Sequence, residues 1–125
     1  MYFTIKFLTF TFLKNTTMKI TANNRNGQAT LTIEGRMDTT ATTQAAADID
    51  SQLAACGKID NLTCDACGLE YISSSGLRIL LGLAKRYPGF RVTEVCPDVY
   101  QVLEMTGFTK IMNVEKAMRR FSVDG

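Results

Sequence analysis

The sequence predicts a single α/β domain, in which a mixed sheet of four to five strands begins with a β-hairpin and about four helices pack on it. An Asn26-Gly27 pair between two strand-like segments is the strongest two-residue hairpin signal that a sequence offers. After this hairpin, strand-like and helix-like segments alternate, which indicates a sheet that is parallel in its later part. The 125 residues, 46% of them hydrophobic, suit one compact domain with a buried core.

The hairpin and the first helix are predicted from local patterns. The two strands are expected at residues 19–24 and 28–34, because apolar and hydroxyl side chains alternate most clearly in the second. The motif Gly35-Arg36-Met37-Asp38 ends the second strand. Residues 39–43 are mostly threonines, whose hydroxyl oxygens accept hydrogen bonds from the unpaired N–H groups of a first helical turn. We therefore expect a helix that runs from this cluster to about Cys56.

A second strand-to-helix passage follows. Residues 59–65 are predicted as a strand, and residues 66–75 as a loop that contains three consecutive serines. The next helix is expected to reach about Arg86, because its apolar residues have the spacing i, i+3, i+4, i+7 of one helix face: Leu77, Leu80, Leu81 and Ala84.

The last third of the chain predicts one more strand and two helices. Residues 90–95 are strand-like, and a helix is expected from Pro97 until Gly107, since proline suits the first turn of a helix. Residues 111–114 predict a brief extended segment. Asn113 is a suitable cap for a last, basic helix at residues 115–121.

Composition excludes several classes of function. The formal charge of +2 comes from Lys6 and Lys14, because the first 17 residues contain no acid and the remainder is neutral. A neutral domain argues against nucleic acid as the main partner. The chain contains no histidine, which excludes Ser-His-Asp and Cys-His catalysis and the common histidine-containing zinc sites. We expect no cofactor and no bound metal.

The cysteines predict a reducing environment. The chain has four, and Cys64 and Cys67 form a CxxC pair. The pair lies at the end of the predicted strand rather than at the start of a helix, where a thioredoxin-like pair would lie. We expect buried, unpaired thiols of structural use, which suit the cytoplasm.

Residues 1–17 form an apolar, threonine-rich leader. Its apolar part is too short to span a membrane and is interrupted by Lys6, so stable membrane insertion is not expected. It lacks the early basic cluster and the small-residue cleavage site of a signal peptide. Four alternatives remain open for these residues: Met18 is the true start, the leader is disordered, it adds an edge strand to the sheet, or it directs export. The domain itself is expected at residues 18–125.

Three serines and a glycine stand at the second predicted strand-to-helix junction. One of Ser73, Ser74 and Ser75 would cap the helix, and the others would leave free hydroxyls. The unpaired N–H groups and the positive end of the helix dipole also make such a position tolerant of a phosphate. Taken alone, this stretch favours only capping and loop solubility.

Two motifs together carry a resemblance to a known family. The Gly35-Arg36-Met37-Asp38 motif before a threonine-rich helix start, and the stretch Tyr71-Ile72-Ser73-Ser74-Ser75-Gly76-Leu77-Arg78, occur in the expected order of elements. The chain resembles, over residues 18–121, the STAS family, and within it the small anti-sigma factor antagonists of bacteria. The resemblance implies the STAS fold and a role in regulating sigma-factor-dependent transcription.

The resemblance also implies a phosphorylation switch. Ser74 matches the serine that an anti-sigma factor with ATP-dependent serine kinase activity phosphorylates, and a phosphoserine phosphatase would reverse this. The unphosphorylated form binds that partner, and the phosphorylated form releases it. Ser73 stands where better-known members carry aspartate. The residues that would contact the partner are Asp38, Ser73, Ser75, Gly76, Arg78 and Ile79. Ile79 with Leu83 forms either an apolar patch for the partner or part of the core.

Two other classes of function compete. A hydrolase with Ser74 as nucleophile lacks the glycine two residues before it and a histidine base, and Lys85 is more than two helical turns away. We therefore expect no enzymatic activity. The second alternative is a STAS interaction or scaffold module that works without phosphorylation.

Overall fold

A computed structural model describes residues 18–117, and its five strands form one mixed sheet. The strands lie in sequence order, β1 and β2 are antiparallel, and all later neighbours are parallel. Their bounds are Lys19–Arg25 (β1), Gln28–Met37 (β2), Asn61–Ile72 (β3), Arg91–Val95 (β4) and Asn113–Lys116 (β5). The predicted α/β class with an opening hairpin and a mixed sheet is confirmed.

Helices connect the parallel strands. The described residues contain three α-helices, Thr42–Ala55 (α1), Ser74–Arg86 (α2) and Pro97–Met105 (α3), and a short 3₁₀ helix, Phe108–Lys110. Each α-helix buries one apolar stripe, with Ile49, Leu80 and Leu103 almost fully inaccessible to solvent. These side chains join one core with alternate residues of the strands, such as Leu31 and Cys64.

The hairpin turn is tied to the connection between α1 and β3. Asn26 and Gly27 adopt positive φ values of 56° and 90°, as the predicted two-residue turn requires. The side-chain oxygen of Asn24 accepts from the Gly27 N–H at 2.8 Å, and its amide donates to the carbonyls of Cys56 and Lys58 at 2.9 and 2.8 Å. These bonds hold the start of β3 beside β2.

Strand β3 is longer than predicted, because two β-bulges disturb the sequence pattern of its second half. Thr32 pairs with Asp65 but Glu34 pairs with Gly68, and a second shift follows Leu69. Each shift inserts one extra residue into β3, so the apolar alternation changes phase and residues 66–72 do not look like a strand. The prediction that residues 66–72 belong to a loop was wrong, and only Ser73 separates β3 from α2.

The predicted last helix was also wrong where the structure describes it. Residues 113–116 form β5, with Val114 opposite Val92, and the Ala117 N–H donates to the Val95 carbonyl at 2.9 Å. Asn113 is therefore in a strand and caps nothing. Pairing with the exposed edge of β4 outweighs the weak local preference for a helix. Residues 118–121 lie outside the described part of the chain.

The cysteines only partly match their prediction. All four are free, but only Cys64 is buried; Cys67 is exposed, and Cys56 and Cys96 are half-buried. Cys64 and Cys67 lie in the first half and the middle of β3 rather than at its end. Burial, with the neighbouring Asp65 carboxylate, raises the pKa of the Cys64 thiol to about 12, so this thiol stays protonated and unreactive.

Candidate functional site

The two sequence motifs meet at one edge of the sheet. Met37, the last residue of β2, lies opposite Ile72, the last residue of β3, and the Ser73 N–H donates to the Met37 carbonyl at 2.8 Å. Parallel strands end at the same sheet edge, which is where α/β folds place their binding sites. Asp38 and the three serines therefore leave the sheet side by side.

Ser73 is the N-cap of α2. Its backbone is extended, with φ −93° and ψ 175°, and its hydroxyl oxygen accepts from the Gly76 N–H at 3.3 Å. Its carbonyl accepts from the Leu77 N–H at 2.9 Å, and the residue is only 8% exposed. Aspartate and serine are both good N-caps, so serine at this position keeps the cap and removes a negative charge. Burial leaves Ser73 little surface for a partner.

Ser74 is the exposed member of the three serines. It is the first residue of α2, whereas Ser75 is half-buried. Within residues 18–117 the Ser74 hydroxyl makes no side-chain hydrogen bond. Its position beside the unpaired N–H groups of the first turn favours a negative charge. The serine predicted as phosphoacceptor is thus the most exposed of the three.

Gly76 lets the first turn of α2 pack directly on the strand ends. The residue is buried, and a Cβ atom there would lie 2.6 Å from the Met37 Sδ and 2.8 Å from the Ile72 Cγ1. Both distances are shorter than real Cβ contacts. Gly76, which was predicted as part of the partner surface, is therefore buried, and its lack of a side chain lets the start of α2 approach the strand ends closely.

Asp38 orders the turn between β2 and α1. Its Oδ1 accepts from the Thr40 hydroxyl and from the Ala41 N–H, both at 2.9 Å. These two hydrogen bonds, aided by the Arg36 guanidinium, hold the pKa of Asp38 below its usual value. No threonine hydroxyl caps α1, whose N-cap residue is Ala41. The expected threonine cap was wrong, because the Asp38 carboxylate takes the Ala41 N–H instead.

Arg78 and Ile79 lie one turn after the serines. Arg78 is exposed, and Ile79 is half-buried against the core. Leu83, which the sequence pairs with Ile79, is only 2% exposed and belongs to the core. Of this pair, only Ile79 offers surface to a partner.

Two residues of the site were missed by sequence reasoning. Tyr71 is 40% exposed, and the Arg36 Cζ lies 4.5 Å from the centroid of its ring, across the β2–β3 pairing. This stack lies directly before Asp38 and Ser73. The sequence did contain a signal for this stack. Side chains alternate between the two faces of a strand, so burial of Met37 and Ile72 places Arg36 and Tyr71 together on the opposite face. The β3 bulges concealed this alternation.

The described residues give no sign of a metal site or a membrane span. Between residues 18 and 117, no three His, Cys, Asp or Glu side chains are grouped so as to hold a metal ion. None of the helices in this range combines the length and the apolar composition needed to cross a bilayer.

Comparison with known proteins relates this arrangement to one family. The model of the STAS domain family matches residues 19–120. The crystal structure of an anti-sigma factor antagonist from Mycobacterium paratuberculosis is similar with a TM-score of 0.70 and 19% identity, covering 81% of this chain and 87% of that one. The unphosphorylated anti-sigma factor antagonist SpoIIAA is similar with a TM-score of 0.52 and 16% identity, covering 70% and 82% of the two chains. No curated protein matches the chain.

Proposed function

We propose that this chain, which belongs to the STAS domain family, is a non-enzymatic cytoplasmic anti-sigma factor antagonist controlled by phosphorylation of Ser74. In its unphosphorylated form it binds an anti-sigma factor and so releases a sigma factor for transcription. The anti-sigma factor, acting as an ATP-dependent serine kinase, phosphorylates Ser74, and a phosphoserine phosphatase restores binding. The observation that carries this proposal is the exposed Ser74 at the first position of α2, at the edge where Asp38 also leaves the sheet.

The electrostatics of α2 support a switch that leaves the fold intact. A phosphate adds a charge of about −1.5 to −2 at neutral pH. The start of α2 stabilises that charge, because its first N–H groups and the helix dipole face it. A docked partner would have to bury the phosphate, and an uncompensated buried charge costs about 3–5 kcal/mol. This corresponds to a loss of about two to four decades of affinity.

The surroundings of Ser74 support a protein partner rather than a small ligand. Arg36 and Tyr71 form an exposed stack beside the site, and these residue types are enriched among the side chains that dominate binding energy at interfaces. Asp38 is ionised at neutral pH because its pKa is lowered, so it would repel a phosphate on Ser74 while remaining available to a cationic side chain of the partner.

The test begins with chemistry at Ser74. The protein is incubated with ATP and, in turn, with each candidate anti-sigma kinase encoded in the same genome, and is then analysed by intact mass and peptide mapping. One phosphate on Ser74 is expected. A Ser74→Ala variant should bind the kinase constitutively, and Ser74→Asp should bind it about 100-fold or more weakly by calorimetry. Ser75→Ala is the control for the site of phosphorylation, since it removes a neighbouring hydroxyl and should still receive one phosphate on Ser74.

One observation favours a second function. The cap of α2 is an uncharged, buried serine, whereas the better-known antagonists that the sequence resembles carry aspartate there. A kinase that reads this carboxylate would not recognise Ser74, and the domain would then be a phosphorylation-independent interaction or scaffold module. Stable complex formation without any phosphate, together with equal affinities of Ser74→Ala and Ser74→Asp, would establish this function and refute the switch.

A further inference from the structure

A groove runs along the surface between α1 and α2, next to the site. It has a volume of about 150 Å³. Its floor is apolar, because Ile49 and Leu83 belong to the core, Ile79 packs against it and Ala46 lies beside them. An enclosed cavity of this volume can hold benzene, so this open groove has room for about one large apolar side chain.

Gly82 opens the middle of this groove. A Cβ atom at Gly82 would meet nothing within 4 Å. Packing therefore does not require glycine here, in contrast to Gly76 on the same helix, and glycine in the interior of a helix is unfavourable compared with alanine. The missing side chain leaves a depression at the surface of α2.

The two ends of the groove differ in charge. At one end, the Arg86 Nη1 lies 3.3 Å from the Asp50 Oδ1, so this arginine has a carboxylate partner. At the other end, no carboxylate of residues 18–117 lies within 4.0 Å of Arg78. Arg78 is exposed and stands four residues after Ser74, so the two side chains are neighbours on the helix surface.

We propose that this groove receives a segment of the anti-sigma factor that inserts one large apolar side chain over Gly82 and presents a carboxylate to Arg78. The inference rests on the proposed function and extends its contact surface along α2, from Ser74 to the α1–α2 junction. The apolar floor and the exposed cation beside it specify this occupant, because a purely apolar segment would cover Arg78 without a counter-charge and a purely acidic one would leave the floor exposed to water.

The same geometry links the groove to the phosphate. An acidic group four residues before a basic one on a helix has the favourable orientation for an ion pair. A phosphate on Ser74 would therefore engage Arg78 in charge-assisted hydrogen bonds and compete with the carboxylate of the partner. Phosphorylation then acts on the groove from one turn away, in addition to its direct effect at the contact around Ser74.

The groove is tested by calorimetry with the unphosphorylated chain and the anti-sigma factor that binds the wild type. Gly82→Leu fills the depression and Arg78→Ala removes the unpaired cation, and each is expected to weaken binding at least tenfold. The matched controls are Ala47→Leu, which adds the same side chain at an exposed position of α1, and Lys85→Ala, which removes another exposed cation of α2. Both controls should bind within threefold of the wild type. Circular dichroism verifies that each variant is folded.

The outcomes separate this proposal from the proposed function. If the wild type binds the anti-sigma factor and both groove variants bind it equally well, the groove is not part of the interface and this proposal is refuted alone. If only one of the two variants binds the anti-sigma factor more weakly, the proposed occupant, which combines an apolar side chain with a carboxylate, is wrong. If the wild type binds no anti-sigma factor, both proposals fail. A wild-type dimer that Gly82→Leu converts to a monomer in sedimentation would refute the proposal by identifying a second copy of the chain as the occupant.

Discussion

Replacing Gly76 by alanine tests how firmly the first turn of α2 is held against the strand ends. The new Cβ would lie 2.6 Å from the Met37 Sδ and 2.8 Å from the Ile72 Cγ1. Met37 is completely buried, so its thioether cannot swing into solvent to make room. Inserting a carbon into a packed core typically costs about 1–3 kcal/mol.

Gly82→Ala is the matched control, because it makes the same substitution on the same helix in open space. Alanine is favoured over glycine inside a helix by about 0.8–1 kcal/mol, so Gly82→Ala should stabilise the protein. Gly76 lies in the first turn of α2, outside the helix interior to which this gain applies, so the difference in unfolding free energy between the two variants reports mainly the packing cost at Gly76. A difference of about 2 kcal/mol corresponds to about 8 °C in the unfolding midpoint of a chain of 125 residues.

The assay is thermal unfolding of both variants, followed by circular dichroism and supplemented by urea titration. Gly76→Ala should unfold below the wild type and Gly82→Ala slightly above it. If Gly76→Ala were as stable as Gly82→Ala, the close approach of α2 to Met37 and Ile72 would not be a constraint, and the account of how Ser74 is positioned would be refuted.

Two further predictions follow from the ionisable groups. The lowered pKa of Asp38 means that its ionised form stabilises the folded state; this contribution is complete above the unfolded pKa and is lost as the pH falls below 3.8. Asp38→Asn should therefore reduce the acid sensitivity of the urea midpoint in this range, and a pH profile unchanged from the wild type would contradict it. For the thiols, brief treatment of the native protein with iodoacetamide at pH 8 should label exposed Cys67 and leave Cys64 unmodified until urea is added, since the pKa of Cys64 is about 12. Peptide mapping checks this, and labelling of Cys64 as fast as Cys67 would show that β3 opens readily.

Much of the fold was predictable because its signals are local. The turn at Asn26 and Gly27, a serine cap at the start of α2 and the helix that begins at Pro97 each depend on a few adjacent residues. The failures have a different cause. Residues 113–116 pair with β4, which the sequence cannot place beside them, and the bulges of β3 depend on the register with β2.

The candidate site was also only partly predictable from the sequence. The sequence identified three serines at a helix start, but it could not tell which of them is exposed. That distinction depends on the hydrogen bond from Ser73 to Met37, which pulls the cap residue inward and leaves Ser74 outside. The stack of Arg36 on Tyr71 was likewise invisible, because it forms across two strands with shifted pairing.

The fixed start of α2 has a consequence for the timing of regulation. Ser73 is bonded to β2 and Gly76 is pressed against it, so Ser74 is presented in one orientation before any partner arrives. Little ordering is then required on binding, and the association rate should approach that of rigid, pre-organised proteins, about 10⁵–10⁷ M⁻¹s⁻¹. Under the proposed function, the duration of the transcriptional response would thus be set by how fast the kinase and the phosphatase turn over, with no slow rearrangement of the antagonist in between.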